Sequence, residues 1–388
     1  MLPLSILCAA LLGSSVLLLG DPGRAASAPS APSAGDPAVQ AQINGAVESD
    51  RKTFGGKTPV PGVLIGVWDA TGSAYIHAFG YADLTAHRKL TPQDHFRIGS
   101  ITKTFVVTII LQLADEGKLK LDDPLSKFDL RIVIPNAQNI TVRELCNMRS
   151  GLADYFAAPE FKTVKWGPET HFDSRTLIKW ALNQKPYFAP GTEFHYCNTN
   201  YLILGLIIER ITGQSVGEQI ESRLLQPNHL TGTSYPANLA MPVPSARGYA
   251  LTSSKIWNDD SWKEVGNSFP ISVFGSAGAM VSNLTDMKQW VALYVTGATN
   301  SPSTQAARLA CLPSNADAYF GLGIFCTNGW FGYTGGVPGY NTAAYYFPVQ
   351  KITVIALVNT IGVRLSPGIA NAIVQDIAGI MTPQNIPF

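Results

Sequence analysis

Phe96-Arg97-Ile98-Gly99-Ser100-Ile101-Thr102-Lys103-Thr104-Phe105 runs without a break into an apolar segment that continues to Leu113 and stops at Gly117. A helix apolar almost all round has no face for solvent, so the pattern predicts a helix buried at the centre of the molecule. Ser100 stands where a short extended piece enters that helix. Three residues apart, Ser100 and Lys103 share one helix face. The hydroxyl would lie at the helix N-terminus, where amide groups and the dipole stabilise developing negative charge. A lysine held there and partly desolvated can serve as a base for the hydroxyl. The competing reading is plain: Ser100 only caps the helix and Lys103 snorkels outward. The same Ser-x-x-Lys spacing occurs at Ser49 and Lys52, among Glu48, Asp50 and Arg51, and there it reads as a solvated helix end.

Working outward, Val39, Ile43 and Val47 recur every four residues and predict an amphipathic first helix. Gly62 to Trp68 and Ala74 to Phe79, joined by Asp69-Ala70-Thr71-Gly72, read as a hairpin. Further strands are expected at Leu322–Phe325, Thr342–Phe347 and Ile352–Val358, and a last helix at Ile369–Ile380. Between them the sequence is helix-rich. Thr141 and Glu144 make a capping box, Asn198 to Ile211 ends at Gly213, and Ser282 is placed to cap a helix running to Tyr294. Strands at both termini around a helical middle predict an α+β fold: one sheet assembled from both ends of the chain, with a helical insertion of roughly 150–200 residues.

Two more segments invite a chemical reading. Tyr196-Cys197-Asn198 follows the turn signal Pro190-Gly191 and just precedes a helix. Either Asn198 is the helix N-cap and Tyr196 a core aromatic, or the phenol relays protons while the amide holds Lys103 and a substrate carbonyl. Tyr333-Thr334-Gly335-Gly336 is either a glycine-rich turn or a place where backbone or ligand approaches closely. Gly213-Gln214-Ser215-Val216-Gly217 matches the nucleophile-elbow pattern, but a helical stretch precedes it where a strand is needed, and Ser215 with Glu218 reads as a capping box.

With 28 Lys plus Arg against 27 Asp plus Glu and no basic run, the chain offers no electrostatic footprint for nucleic acid. Six scattered histidines and the absence of C-x-x-C or H-E-x-x-H give no support for a metal, and no cofactor is called for. Leu4 to Gly20 is apolar and Ala26-Ser27-Ala28 resembles a cleavage site, which reads as a signal peptide over residues 1–28, although no Lys or Arg precedes it. Residues 29–38 read as an Ala/Ser/Pro-rich tether and 39–388 as a single domain, secreted or periplasmic, touching a membrane only if the leader stays uncleaved. Among Cys146, Cys197, Cys311 and Cys326, the pair Cys311–Cys326 closes a short loop and is the preferred disulfide; the alternative is four buried thiols.

Taken together, Ser100-Ile-Thr-Lys103, Tyr196-Cys-Asn198 and Tyr333-Thr-Gly335, in that order, resemble the penicillin-recognising serine hydrolases. That group includes class C β-lactamases, D-alanyl-D-alanine carboxypeptidases, D-aminopeptidases and β-lactamase-like esterases. Flanking text matches as well: Phe96 to Phe105, Thr141 to Leu145 with Ser150-Gly151-Leu152, and Pro190-Gly191 through Gly213. The resemblance implies an antiparallel sheet flanked by helices, beside an all-helical region at roughly 110–280, with the site in the cleft between them. There Ser100 is the acyl-accepting nucleophile, Lys103 and Tyr196 handle protons, and Asn198 holds Lys103 and the substrate amide. The third motif, Tyr333 to Gly336, would line the substrate site, with the amides of Ser100 and Gly336 as oxyanion hole. Two positions depart from the family pattern. Tyr333 stands where Lys or His is common and offers no cation to a substrate carboxylate; no Lys or Arg lies between Arg308 and Lys351 to replace it. Cys197 stands where Ser or Ala is usual. The expected substrate is a peptidoglycan-type peptide, a β-lactam or an ester. Tyr333 favours a carboxylesterase on the same fold, and a non-catalytic peptide- or penicillin-binding module is the remaining alternative.

Overall fold

The computed structural model describes residues 32–165, 167–251, 261–315, 318–361 and 368–387. The expected leader lies outside them. Helix α1 (Pro37–Gly55) buries Val39, Ile43, Val47 and Phe54 and is capped by the Asp36 carboxylate, which accepts from the Ala38 amide. The expected tether does not extend to residue 38. The Ser33 hydroxyl donates to Asp69 at 2.9 Å and Ala34 is fully buried, so the chain is already packed before α1 begins.

The principal sheet has nine strands. From the N-terminal side come β1 (Gly62–Trp68), β2 (Ala74–Asp83) and β3 (Arg88–Lys89). Two short pairs follow: β4 (Phe96–Arg97) with β7 (Val281–Ser282), and β5 (Tyr249–Leu251) with β6 (Trp262–Glu264). From the C-terminal side come β8 (Leu312–Asn315), β9 (Ala318–Phe320), β10 (Phe325–Thr327), β11 (Trp330–Val337), β12 (Tyr340–Phe347) and β13 (Ile352–Val358). The order is β3-β2-β1-β13-β12-β11-β10-β9-β8, antiparallel throughout, so the two ends of the chain meet where β1 pairs β13 with Ile65 opposite Ala356. Strand alternation sorts the side chains by face. Val63, Ile65, Val67, Val354, Ala356 and Val358 pack with α1 and with the last helix, whereas Leu64, Ile355 and Leu357 join the core on the helical side.

That side carries α2 (Thr102–Asp115), α3 (Val142–Cys146), α4 (Pro159–Thr163), α5 (Ser174–Leu182), α6 (Asn198–Thr212), α7 (Val216–Ile220), α8 (Gly275–Gly278), α9 (Leu284–Thr296) and α10 (Pro302–Leu309). The closing helix α11 (Ile369–Met381) lies with α1 on the opposite face. The helical stretch therefore starts nearer 102 than 110 and runs past 280 to Leu309, interrupted by β5, β6 and β7. Helix α2 is buried almost throughout, and Trp290 of α9 stacks on its Phe105 with centroids 3.8 Å apart.

Three local expectations are corrected. No strand covers Leu322–Phe325: the Leu322 amide donates to Arg308 O and that of Gly323 to Cys146 O, so β10 begins only at Phe325. Asn283, not Ser282, caps α9, because Ser282 sits in β7 with its hydroxyl 2.8 Å from that of Thr233. Asn198 is the first residue of α6 and not its N-cap, which is Cys197. The Cys311–Cys326 disulfide is present, with Cys146 and Cys197 as buried thiols.

Candidate active site

Ile98 leaves β4 and the chain turns at Gly99, whose φ of +51° suits glycine, into the short turn carrying Ser100 at the mouth of α2. One turn on, Lys103 is fully buried. Its Nζ donates to Ala277 O at 2.6 Å and to Asn198 Oδ1 at 2.9 Å, and lies 2.9 Å from Ser100 Oγ. The first two partners are acceptors only, so they take two N–H groups. The third position of the nitrogen points at Oγ. As an ammonium it donates there; as a neutral amine its lone pair faces the hydroxyl proton. That geometry lets a lysine take a proton from the serine.

Asn198 is oriented from the other side. Its Nδ2 donates to Asp154 Oδ2 at 2.8 Å, and its backbone amide donates to the same oxygen at 2.7 Å. The Tyr196 ring centroid lies 5.0 Å from Lys103 Nζ, and that of Tyr201 5.3 Å.

Strand β11 closes the site. A Cβ at Gly335 would run into the carbonyl oxygen of Ile98, and one at Gly99 would lie 2.7 Å from the Gly336 nitrogen. Thr342 on β12 donates to Ile98 O at 3.1 Å and holds the two segments together. Only Gly336 of the third motif reaches the cleft. The Thr334 hydroxyl donates across the ladder to Thr342 O. Tyr333 is buried against Phe320 and Phe325, with its hydroxyl beside the Tyr196 phenol. Burial, with the neighbouring Tyr196 phenol second, holds the Tyr333 phenol neutral well beyond the usual range.

Ser100, Tyr196, Asn198 and Gly336 open into a cleft of about 570 Å³ walled by Phe156, Phe161, Phe269 and Phe274. None of its described lining residues is charged. Among the described residues no group of three side chains could hold a metal.

The other candidate serines stand elsewhere. Ser49 and Lys52 are exposed on α1. The Ser215 hydroxyl is bound into the capping box of α7, and α6, not a strand, leads into it. Asp154 and the carbonyl of Ala277 were not picked out in the sequence. Asp154 does follow directly on Ser150-Gly151-Leu152-Ala153, a signal that was available; a main-chain carbonyl carries none.

A serine at a helix mouth, bonded to a buried lysine and facing a strand edge of paired glycines, is the site of the penicillin-recognising serine hydrolases. The chain belongs to the Beta-lactamase family, whose pattern it matches over residues 47–372. It is similar to protein flp of Staphylococcus aureus (33% identity over 219 residues, 55% of this chain and 42% of that protein). It is also similar to the D-aminopeptidase of Brucella anthropi (28% over 302 residues, 73% and 53%). The chain thus spans about half the length of these curated relatives. Among solved structures, it resembles a D-stereospecific amidohydrolase from Streptomyces (TM-score 0.75, 25% identity, 88% of this chain and 98% of that one). It shares its fold with the D-amino acid amidase of Ochrobactrum anthropi SV3 (TM-score 0.78, 21% identity, 89% and 99%).

Proposed function

We propose that this protein hydrolyses an uncharged ester or amide through an acyl-enzyme on Ser100. The observation that carries the reading is the 2.9 Å approach of Lys103 Nζ to Ser100 Oγ, with the other two Nζ contacts committed to acceptors. Ser100 Oγ attacks the carbonyl carbon and its proton passes to Lys103. The amides of Ser100 and Gly336 receive the oxyanion, and Tyr196, which lines the same cleft, passes a proton to the departing oxygen or nitrogen. Water then takes the place of the leaving group and releases the acid. No charged side chain lines the cleft among the described residues, which supports neutral, apolar substrates over those anchored by a carboxylate. Similarity to a D-aminopeptidase and a D-stereospecific amidohydrolase favours a second reading, amides or peptides of D-amino acids.

Export accompanies this reading, supported by the leader-like N-terminus and by a disulfide of the kind that persists in oxidising compartments.

Intact mass after mixing with p-nitrophenyl butyrate, D-phenylalanine amide or benzylpenicillin, with Ser100→Ala as control, tests the proposal. Turnover of the ester lost in the mutant is the expected result. Preferential turnover of the D-amide would establish the second reading, and a lasting penicillin adduct on Ser100 would favour a carboxylate-tolerant peptidase. Ester hydrolysis undiminished in Ser100→Ala would overturn the mechanism.

A further inference from the structure

Helix α6 begins without a side-chain cap, because Cys197 occupies the N-cap position and its thiol instead donates to the carbonyl of Leu152 at 3.3 Å. The missing acceptor comes from 44 residues upstream. Asp154 Oδ2 takes both the backbone amide and the side-chain amide of Asn198, while Oδ1 takes the Phe156 amide at 2.9 Å. The carboxylate is only 8% exposed. The loop around it is tied to the same helix end: the Tyr155 amide donates to Thr199 Oγ1, and that hydroxyl donates to Ala153 O.

This arrangement settles which way the Asn198 amide points. A carboxylate accepts only, so Nδ2 must face Asp154 and Oδ1 must face Lys103. Flipped, the amide would set oxygen against oxygen at Asp154 and N–H against N–H at the protonated lysine. Among the described residues no carboxylate hydrogen-bonds Lys103, and Asp154 is a negative charge one amide away from it. The other titratable groups facing this relay are the phenols of Tyr196 and Tyr201 at Lys103, and Tyr155, Tyr187 and Cys197 around Asp154.

We propose that Asp154 is a positioning residue for the hydrolytic site, locking the Asn198 amide and acting through it as the buried counter-charge of Lys103. The proposal rests on the acyl-enzyme reading above and goes beyond it in assigning a carboxylate that touches neither substrate nor nucleophile.

The test is the rate of Ser100 labelling by an alkyl fluorophosphonate, read by intact mass from about pH 5 to 10, for the parent, Asp154→Asn, Asp154→Glu and Ser100→Ala. Asp154→Asn can present an amide N–H to Asn198 and permits the flip. Its maximal labelling rate should fall about 10- to 100-fold, as for other groups that orient a directly acting one. Removing the counter-charge should move the rising limb of the labelling profile to lower pH. Asp154→Glu keeps the charge and should label slowly with the limb in place. A purely structural role would lower the melting temperature of both variants and leave the limb unmoved. Labelling of Asp154→Asn within about threefold of the parent on an unmoved profile would overturn the proposal. If Asp154→Asn does not fold, a limb displaced in Asp154→Glu would overturn it as well. Full labelling of Ser100→Ala would instead bring down the acyl-enzyme reading on which it rests.

Discussion

The Cβ that Gly99 lacks would lie 2.7 Å from the backbone nitrogen of Gly336, so the nucleophile turn and the edge of β11 meet main chain to main chain. The two amides proposed to receive the oxyanion belong to these two segments. Their separation is set by the absence of a side chain at Gly99, whose φ of +51° also disfavours any other residue.

Gly99→Ala should therefore damage catalysis more than binding. The added methyl pushes β11 back, and kcat should fall at least about tenfold, approaching the 10²–10³ typical of a deleted oxyanion donor. KM should change little. Strain in the left-handed region should cost about 1–3 kcal/mol of stability. Steady-state kinetics with a denaturant titration check both.

Asp50 predicts a dependence of stability on pH. It is buried on α1 with Oδ2 unpartnered, and burial first, then the neighbouring Asp376 on α11, pushes its carboxyl from 3.8 up to about 7. The unfolded chain releases this proton near its ordinary value while the folded protein retains it. Stability from this site is thus complete below about pH 4 and is lost as pH rises toward 7. Asp50→Asn should flatten that slope and raise the melting temperature at pH 7, seen in urea titrations at several pH values.

Cys311 and Cys326 are 15 residues apart. Closing a loop of that length contributes about 3 kcal/mol in the chain-entropy account. The double Cys→Ser variant should lose about that much in equilibrium unfolding. Hydrolysis at low temperature should survive, because neither cysteine lines the cleft.

Tyr333→Phe removes a buried hydroxyl that pairs with the Tyr196 phenol. Stability should change by less than about 1 kcal/mol, since the hydrogen bond lost roughly offsets the desolvation cost recovered. Hydrolysis should stay within about threefold of the parent, because the side chain packs on Phe320 and Phe325 outside the cleft. A larger fall would show that the phenol supports Tyr196.

What could be read from the sequence is what short-range pattern encodes. The all-apolar run behind Ser100 demanded a buried helix, the capping boxes at Thr141 and Ser215 marked helix starts, and the short apolar, β-branched run Ile352–Val358 marked a strand. Where a backbone segment found distant partners, local pattern misled: Leu322 to Ile324 read as strand, yet its amides are taken by Arg308 O and Cys146 O. The third motif shows the same limit. Its composition left a turn and a close approach equally open; the fold makes it a close approach at Gly335 and turns Tyr333 into an aromatic core away from the cleft.

The types of the reacting side chains were thus legible; their mutual orientation was not. Lys103 is aimed at Ser100 by a main-chain carbonyl 174 residues away and by an amide that a carboxylate 44 residues from it holds in place. Every residue carries a carbonyl, so nothing in the letters singles out Ala277. Only the folded chain brings that oxygen, Asn198 and Asp154 around one buried nitrogen, where hydrogen-bond valence leaves it a single direction toward the serine.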